Sequence, residues 1–452
     1  MFRSLALSLI LAVPQAAKSE DALPRRAWLG AALEEAEGGV RVREVMAGSS
    51  AEAAGLAAGD VIRALDGEAA GSLGDLVGRL RSRREGETVE AEVARDGEPR
   101  TTAIALKGWP REAGTEAYGV EYGEVPSVVG RLRTIAYVPK GEREERRPAL
   151  LIVQGIGAAT LDNPRPGEPV EAPTGMNVYR ALADAAARAG FVALRVDKGG
   201  CGDSEGDAAT LDFEQELDGY RAALAALRSR GDVDPERVFL FGHSMGGVFA
   251  PILAGETAVR GVIVYGTLVK TWAEYVAENS RRQAMLAGAD PVAFDREARL
   301  MMRFHHALLV ERKPIAEILA EIPEIEAVRD DLWIDGDMMY GRHYSFFPQL
   351  ADRNLAEAWT NAAPRTRVLA LWGAAEFVTA REDHEWIADM VNRVAEGHGE
   401  FRVVEDSDHG FHRFATPADA DAAARDRSIP MEFNPAILEV VTGWVREDGG
   451  QG

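Results

Sequence analysis

From about residue 127 onward, short apolar runs alternate with longer stretches of helical period. Residues 149–153, 191–196, 238–241, 261–265, 368–372 and 401–404 have few polar interruptions and read as strands buried on both faces. Residues 177–190 and 213–230 read as helices between them, so a mainly parallel, doubly wound α/β sheet is predicted. Residues 131–139 alternate, with Leu132, Ile135 and Tyr137 set against Arg133, Thr134 and Ala136, as an antiparallel opening strand would. A closing helix follows Asn434-Pro435 and turns Ile437, Leu438, Val441 and Trp444 to the sheet. The first hundred residues follow another pattern. Strand-like pieces surround a capped helix, 72–81, with Leu73, Leu76, Val77 and Leu80 on one face. Residues 86–97 then alternate into a hairpin turned by Asp96-Gly97. Between the two patterns, 108–126 is polar, rich in Gly and Glu, and reads as a linker with little apolar material to join its neighbours.

Between Thr267 and Arg365 the chain is far too long for a simple connection. Its period is helical over 294–310 and 315–325, and it carries Trp272, Trp333, Met338, Met339, Tyr340, Tyr344, Phe346 and Phe347. Most of these are expected to form the insertion's own core.

A chain of 452 residues with 46% hydrophobic content is expected to form one very large globular domain or two to three ordinary ones. A net charge of -22, without basic runs, argues against a nucleic-acid surface. Met1-Phe2-Arg3 followed by the apolar run 5–13, too short to span a bilayer, and a small-residue segment reads as a secretory signal peptide over 1–22, with an uncleaved anchor or an ordinary N-terminus as the alternatives. Nothing later is long and apolar enough for a transmembrane segment. The single cysteine, Cys201, excludes an internal disulfide. An exported protein, periplasmic or secreted from a bacterium, is the expected setting, and a large core needs no staples there.

Candidate chemistry centres on Gly242-His243-Ser244-Met245-Gly246, a G-x-S-x-G between a predicted strand and a predicted helix. That context makes the pattern a nucleophile elbow, with Ser244 on a strained turn whose flanking glycines avoid a collision across it. No paired cysteines, H-E-x-x-H, P-loop or dinucleotide fingerprint occurs, so no metal and no cofactor is expected.

Two resemblances extend this reading. Residues 26–107, with Ala54-Gly55-Leu56 through Gly59-Asp60-Val61-Ile62 and the later Arg95-Asp96-Gly97, resemble a PDZ domain of the kind attached to bacterial periplasmic proteases. The resemblance implies a carboxylate-binding loop at Trp28, Leu29, Gly30 and Ala31, and a groove for a peptide C-terminus between the next strand and the 72–81 helix. Use of the domain only as a spacer or lid is the alternative.

Residues 127–452 resemble the α/β-hydrolases, with the insertion at about 268–365 as a helical cap. Asp197 to Gly206 looks like their D-x-R-G-x-G-x-S-x-G turn, with Gly199 where arginine is common. Gln154-Gly155-Ile156-Gly157 looks like their H-G-x-G loop, and similarity implies the Ile156 and Met245 amides as oxyanion donors. A serine nucleophile needs a base and an orienting acid, and in this fold the order is Ser, acid, His. Of eight histidines, His409 lies in the loop after the 401–404 strand, where the family's histidine is expected, with His412 second. His243 is read as pointing elsewhere, and His384 as lying in polar surroundings. Glu376 occupies the family's acid position after the 368–372 strand, and Asp383 is the fallback. The expectation is an exported serine esterase that acts on small-molecule esters through Ser244, His409 and Glu376. A peptidase acting on peptides recruited by the PDZ domain is second, and a non-catalytic peptide-binding scaffold third.

Overall fold

The structure is a computed structural model that describes residues 23–141, 145–157, 160–161, 178–426 and 428–449. The segment read as a signal peptide, and Asn177 at the head of a predicted helix, lie outside the described residues. No helix among the described residues is long and apolar enough to cross a membrane.

An eight-stranded sheet forms the larger part. Its order is Gly399–Val404, Arg367–Gly373, Gly261–Tyr265, Val233–His243, Arg147–Val153, Val192–Val196, Gly130–Pro139 and Tyr118–Ser127. The first six run parallel, and Gly130–Pro139 is antiparallel to both of its neighbours, Val192–Val196 and Tyr118–Ser127. The apolar runs serve both faces because successive side chains point opposite ways. Val238, Leu240, Val262, Val264, Val368 and Ala370 enter one core, while Phe239, Phe241, Ile263, Tyr265, Leu369 and Leu371 enter the other. Helices Phe213–Ser229 and Gly246–Glu256 cover the first face, and Val178–Arg188 and Ala436–Gly449 the second.

The polar stretch 108–126 is not a linker throughout. Tyr118–Ser127 is a ten-residue edge strand paired along its whole length with Gly130–Pro139. An edge strand need not be apolar on both faces, and Glu121 and Glu124 with Gly119 and Gly123 gave this one its polar look. Just before it, the Glu112 carboxylate accepts from Arg195 Nη2 at 2.6 and 2.8 Å and from the Tyr137 hydroxyl. The Arg195 side chain is only 1% exposed. A hydrolase fragment starting at Gly123 is therefore expected to aggregate or melt early, because it splits the edge strand and leaves Arg195 without its carboxylate. Breaking a buried pair of this kind costs about 3–5 kcal/mol. A fragment starting at Arg111 keeps both features and should give a cooperative melt by circular dichroism; equal melting of the two would refute the assignment.

The insertion packs as a cap of three helices (Trp272–Leu286, Pro291–Leu309, Ile315–Glu321), a small hairpin (Met338–Met339 with Arg342–His343) and Phe346–Ala351. Trp272, Met339, Phe346 and Phe347 are buried in a cluster continuous with the sheet core, whereas Trp333 is exposed. The cap ends earlier than Arg365. Helix Leu355–Ala362 packs on Gly246–Glu256 and Arg381–Val394, and so serves as the crossover helix between the Gly261–Tyr265 and Arg367–Gly373 strands.

The N-terminal part is a separate sheet in the order Ala31–Ala36, Gly39–Val45, Val61–Leu65, Thr88–Arg95, Glu98–Ala105. Ser72 caps helix Leu73–Arg81, which buries Leu76 and Leu80, and positive φ at both Asp96 and Gly97 makes the tight hairpin turn. Polar bonds from Arg25 and Arg26 join the two parts. The Arg25 guanidinium pairs with Asp203 and donates to the Trp109 carbonyl (2.7 Å). The Arg26 amide donates to Asp203 (2.8 Å), and its guanidinium to the Gly200 carbonyl (2.8 Å).

Candidate active site

The Val233–His243 strand lies inside the sheet and delivers Ser244 to its carboxyl edge, where the Gly246–Glu256 helix begins. Ser244 has φ +54, a left-handed conformation that a non-glycine residue keeps only under constraint. Its amide donates to the Tyr265 carbonyl at 2.9 Å. A Cβ on Gly242 would sit 2.5 Å from the Gly246 carbonyl oxygen, a collision across the turn. A Cβ on Gly246 would instead meet the Val153 carbonyl at 2.1 Å, so that glycine makes room for the neighbouring strand.

His409 Nε2 lies 3.1 Å from Ser244 Oγ, and its Nδ1 lies 2.9 Å from Glu376 Oε2. A carboxylate only accepts, so Nδ1 carries the proton and Nε2 is free to accept from the serine hydroxyl. Glu376 Oε1 accepts the amides of Val378 (2.7 Å) and Thr379 (3.2 Å), which fixes the carboxylate. Burial disfavours charge on both partners, but each stabilises the other. The His409 pKa is held above the ordinary imidazole value and the Glu376 pKa below the ordinary carboxylate value. Gly266, at φ +59, leaves the space this pair needs: a Cβ there would lie 2.9 Å from His409 Nδ1 and 3.0 Å from Glu376 Oε2.

The fallback acid is elsewhere. Asp383 pairs with Lys270 of the cap at 3.3 Å, and burial pushes its carboxyl up to about 6. His412 pairs with Asp408 (3.2 Å). His384 is fully buried rather than set in polar surroundings; it accepts the Thr267 amide (3.0 Å), and burial lowers its pKa to about 4. The Cys201 thiol is buried and pushed up to about 11, which leaves it protonated and unreactive.

His243 does not point away from the site. Its Nδ1 lies 2.7 Å from the Tyr179 hydroxyl, which also accepts the Gly155 amide (2.8 Å). Its Nε2 lies 2.9 Å from the His409 carbonyl. Burial, together with the nearby His409, lowers its pKa to about 3, so it is neutral. The Tyr179 hydroxyl therefore donates to Nδ1, and Nε2–H donates to the carbonyl. This chain of bonds ties the Gly155–Gly157 loop to the His409 loop. Pattern alone could not reveal it, because Tyr179 and His243 sit on unrelated elements.

Ile156 and Met245 flank Ser244 on the loop and at the helix N-terminus, and no described group accepts from either amide. An amide at a helix start and one on the neighbouring loop can together stabilise a negative oxygen next to a serine nucleophile. The cap reaches this region through its hairpin: a Cβ on Gly341 would stand 4.0 Å from Gly157 Cα. In the N-terminal part, the Trp28–Ala31 loop has Gly30 at φ +68, where a Cβ would strike Ser49. The loop leads into edge strand Ala31–Ala36, beside helix Leu73–Arg81.

Residues 174–413 match the family model described as serine aminopeptidase, S33, and residues 27–106 match the PDZ domain. No curated protein matches the chain significantly. Among solved structures the chain is similar to the thermostable carboxylesterase EstE1 from a metagenomic library, at 15% identity and TM-score 0.40 over 75% of this chain and 91% of that one. It is also similar to a Bacillus coagulans carboxyl esterase, at 17% identity and TM-score 0.41 over 73% of this chain and 100% of that one. A Mycobacterium tuberculosis puromycin-hydrolyzing peptidase is similar at 14% identity and TM-score 0.44, over 80% of this chain and 46% of that one. The S33 match runs through more than half of the residues and ends beyond His409, and the chain accordingly belongs to the serine aminopeptidase S33 family, as a serine hydrolase of the α/β-hydrolase fold with a PDZ domain ahead of it.

Proposed function

We propose that this chain is an exported carboxylic ester hydrolase that works through a Ser244 acyl-enzyme. The observation that carries the reading is the aligned Glu376–His409–Ser244 set, at 2.9 and 3.1 Å, together with the Ile156 and Met245 amides, from which no described group accepts. As the Ser244 oxygen attacks the ester carbonyl, His409 Nε2 takes its proton. The carbonyl oxygen becomes an oxyanion held by the Ile156 and Met245 amides. On collapse the C–O bond to the alcohol breaks, and the imidazolium returns the proton to the leaving alkoxide. Water then repeats the sequence on the acyl-enzyme and releases the carboxylic acid. Glu376 keeps the imidazole in the required tautomer and stabilises its charged form.

The family description favours a second reading, an aminopeptidase fed by the PDZ domain through peptide C-termini. Such an enzyme needs a carboxylate for the substrate's α-ammonium. Around the site, among the described residues, the buried carboxylates are already engaged: Glu376 by His409, Asp383 by Lys270, Asp408 by His412, and Glu216 by Lys198 and Arg342. That supports the ester. Aliphatic p-nitrophenyl esters should be turned over and aminoacyl p-nitroanilides should not. Anilide hydrolysis at comparable kcat/KM, abolished by N-acetylation of the substrate, would establish the aminopeptidase instead.

A further inference from the structure

Three charged side chains that the reaction above does not use form a buried line between the cap and the oxyanion loop. Lys198 Nζ donates to the Gly155 carbonyl and lies 2.9 Å from Glu216 Oε1. The other oxygen of Glu216 pairs with Arg342 Nη2, from the cap hairpin. The three side chains are at most 1% exposed. Two cations against one anion leave a net positive charge inside the protein, a costly arrangement unless hydrogen bonds absorb it.

The carbonyl that Lys198 holds matters because of what shares its peptide bond. The Gly155 C=O and the Ile156 N–H belong to one planar unit, so fixing the oxygen fixes where the N–H points. A charged donor on the oxygen also polarises the unit and strengthens the N–H as a donor. The other side of the loop is held by the Gly155 amide on Tyr179. We propose that Lys198 is a positioning residue of the oxyanion hole, which aims and polarises the Ile156 amide through the Gly155 carbonyl, and that Arg342 holds Lys198 in place through Glu216, so that the hole is complete only when the cap hairpin is seated. The inference rests on the acyl-transfer reading above.

The surroundings of Lys198 supply a readout. Burial and the Arg342 guanidinium lower its pKa to about 8, against the opposing pull of Glu216. Among the described residues, the other titratable groups facing it are Cys201 and Asp197 of its own turn and Tyr220 of the Phe213–Ser229 helix, and Cys201 and Tyr220 are shifted upward and stay protonated there. Lys198 therefore loses its proton as pH rises through about 8, and stabilisation of the oxyanion should weaken over that range.

The test compares Lys198→Met and Arg342→Met with the full-length protein, using an ester substrate and a trifluoromethyl ketone, which forms an oxyanionic adduct with the serine. Lys198→Met is expected to lower kcat by at least about tenfold, up to the about 10²–10³ that loss of a whole oxyanion donor costs. KM should change little, and ketone affinity should fall in parallel with kcat/KM. The wild-type decline in kcat and ketone affinity above about pH 8 should vanish in this variant. Arg342→Met should act in the same direction, and the double variant should be no worse than Lys198→Met alone. A folded Lys198→Met protein with kcat and ketone affinity near wild type would overturn the inference. Should that variant not fold, a folded Arg342→Met protein with kcat and ketone affinity near wild type would overturn it equally, because the hairpin cation is what holds Lys198 through Glu216. Either result leaves the acyl-transfer reading intact so long as Ser244→Ala is inactive; full activity of Ser244→Ala would sink that reading itself.

Discussion

Ser244→Ala is expected to lower kcat by on the order of 10⁶, with the fold unchanged. The size follows from the unit the residues form. His409 and Glu376 serve only to move the serine proton, so without the hydroxyl they have nothing to act on, and what survives is binding and the Ile156 and Met245 amides. The Cys201 thiol, buried and held protonated, is no substitute nucleophile. The fold should persist because the one described bond of the Ser244 side chain is to His409. The measurement pairs steady-state ester hydrolysis with labelling by a fluorophosphonate, which should mark the wild type at this single serine. Undiminished labelling of the variant would place the nucleophile elsewhere.

Glu376→Gln comes next, with an expected loss of about 10⁴ in kcat. The amide can still reach His409 Nδ1, but its NH₂ group donates, which favours the tautomer with the proton on Nε2. That nitrogen can then no longer accept from Ser244. The pH profile should move as well. The base must be neutral, so kcat/KM of the wild type falls as pH drops through the raised pKa of His409. Burial opposes that raised value and Glu376 sustains it. With the carboxylate gone the imidazolium loses its partner, the pKa falls, and the acid limb shifts to lower pH. Asp383→Asn serves as the control: its carboxyl faces Lys270, so activity should change little. The opposite pattern would transfer the acid role to Asp383.

The same physics explains which parts of this molecule could be read without coordinates. The elbow was legible because it is local: a run of bulky apolar residues, a turn with glycines where a Cβ cannot fit, and a helix start, all within a few residues of Ser244. Glu376 and His409 were legible in another way, through the chain order of strands and loops that the α/β-hydrolase resemblance implies. The Asp96-Gly97 hairpin and the Ser72-capped helix were likewise local. The strand Tyr118–Ser127 escaped because an edge strand exposes one side to water and so lacks the apolar signature of its inner neighbours.

By itself, then, the sequence determined the elbow and the strand–helix order, because backbone geometry near a turn and the alternation of strand and helix are short-range properties, while the α/β-hydrolase resemblance supplied the acid and the histidine. Only the tertiary structure decided how those groups are supported. His243 joins Tyr179 to the His409 loop, Gly266 clears the space for the histidine–glutamate pair, and Arg25 and Arg26 reach across to Asp203 and Gly200. Lys198, Glu216 and Arg342 come from a turn, a helix and the cap hairpin, far apart in the chain. No local periodicity encodes such contacts. They exist because sheet order and cap placement bring distant segments together, and because a buried charge must find its partner wherever the fold supplies one.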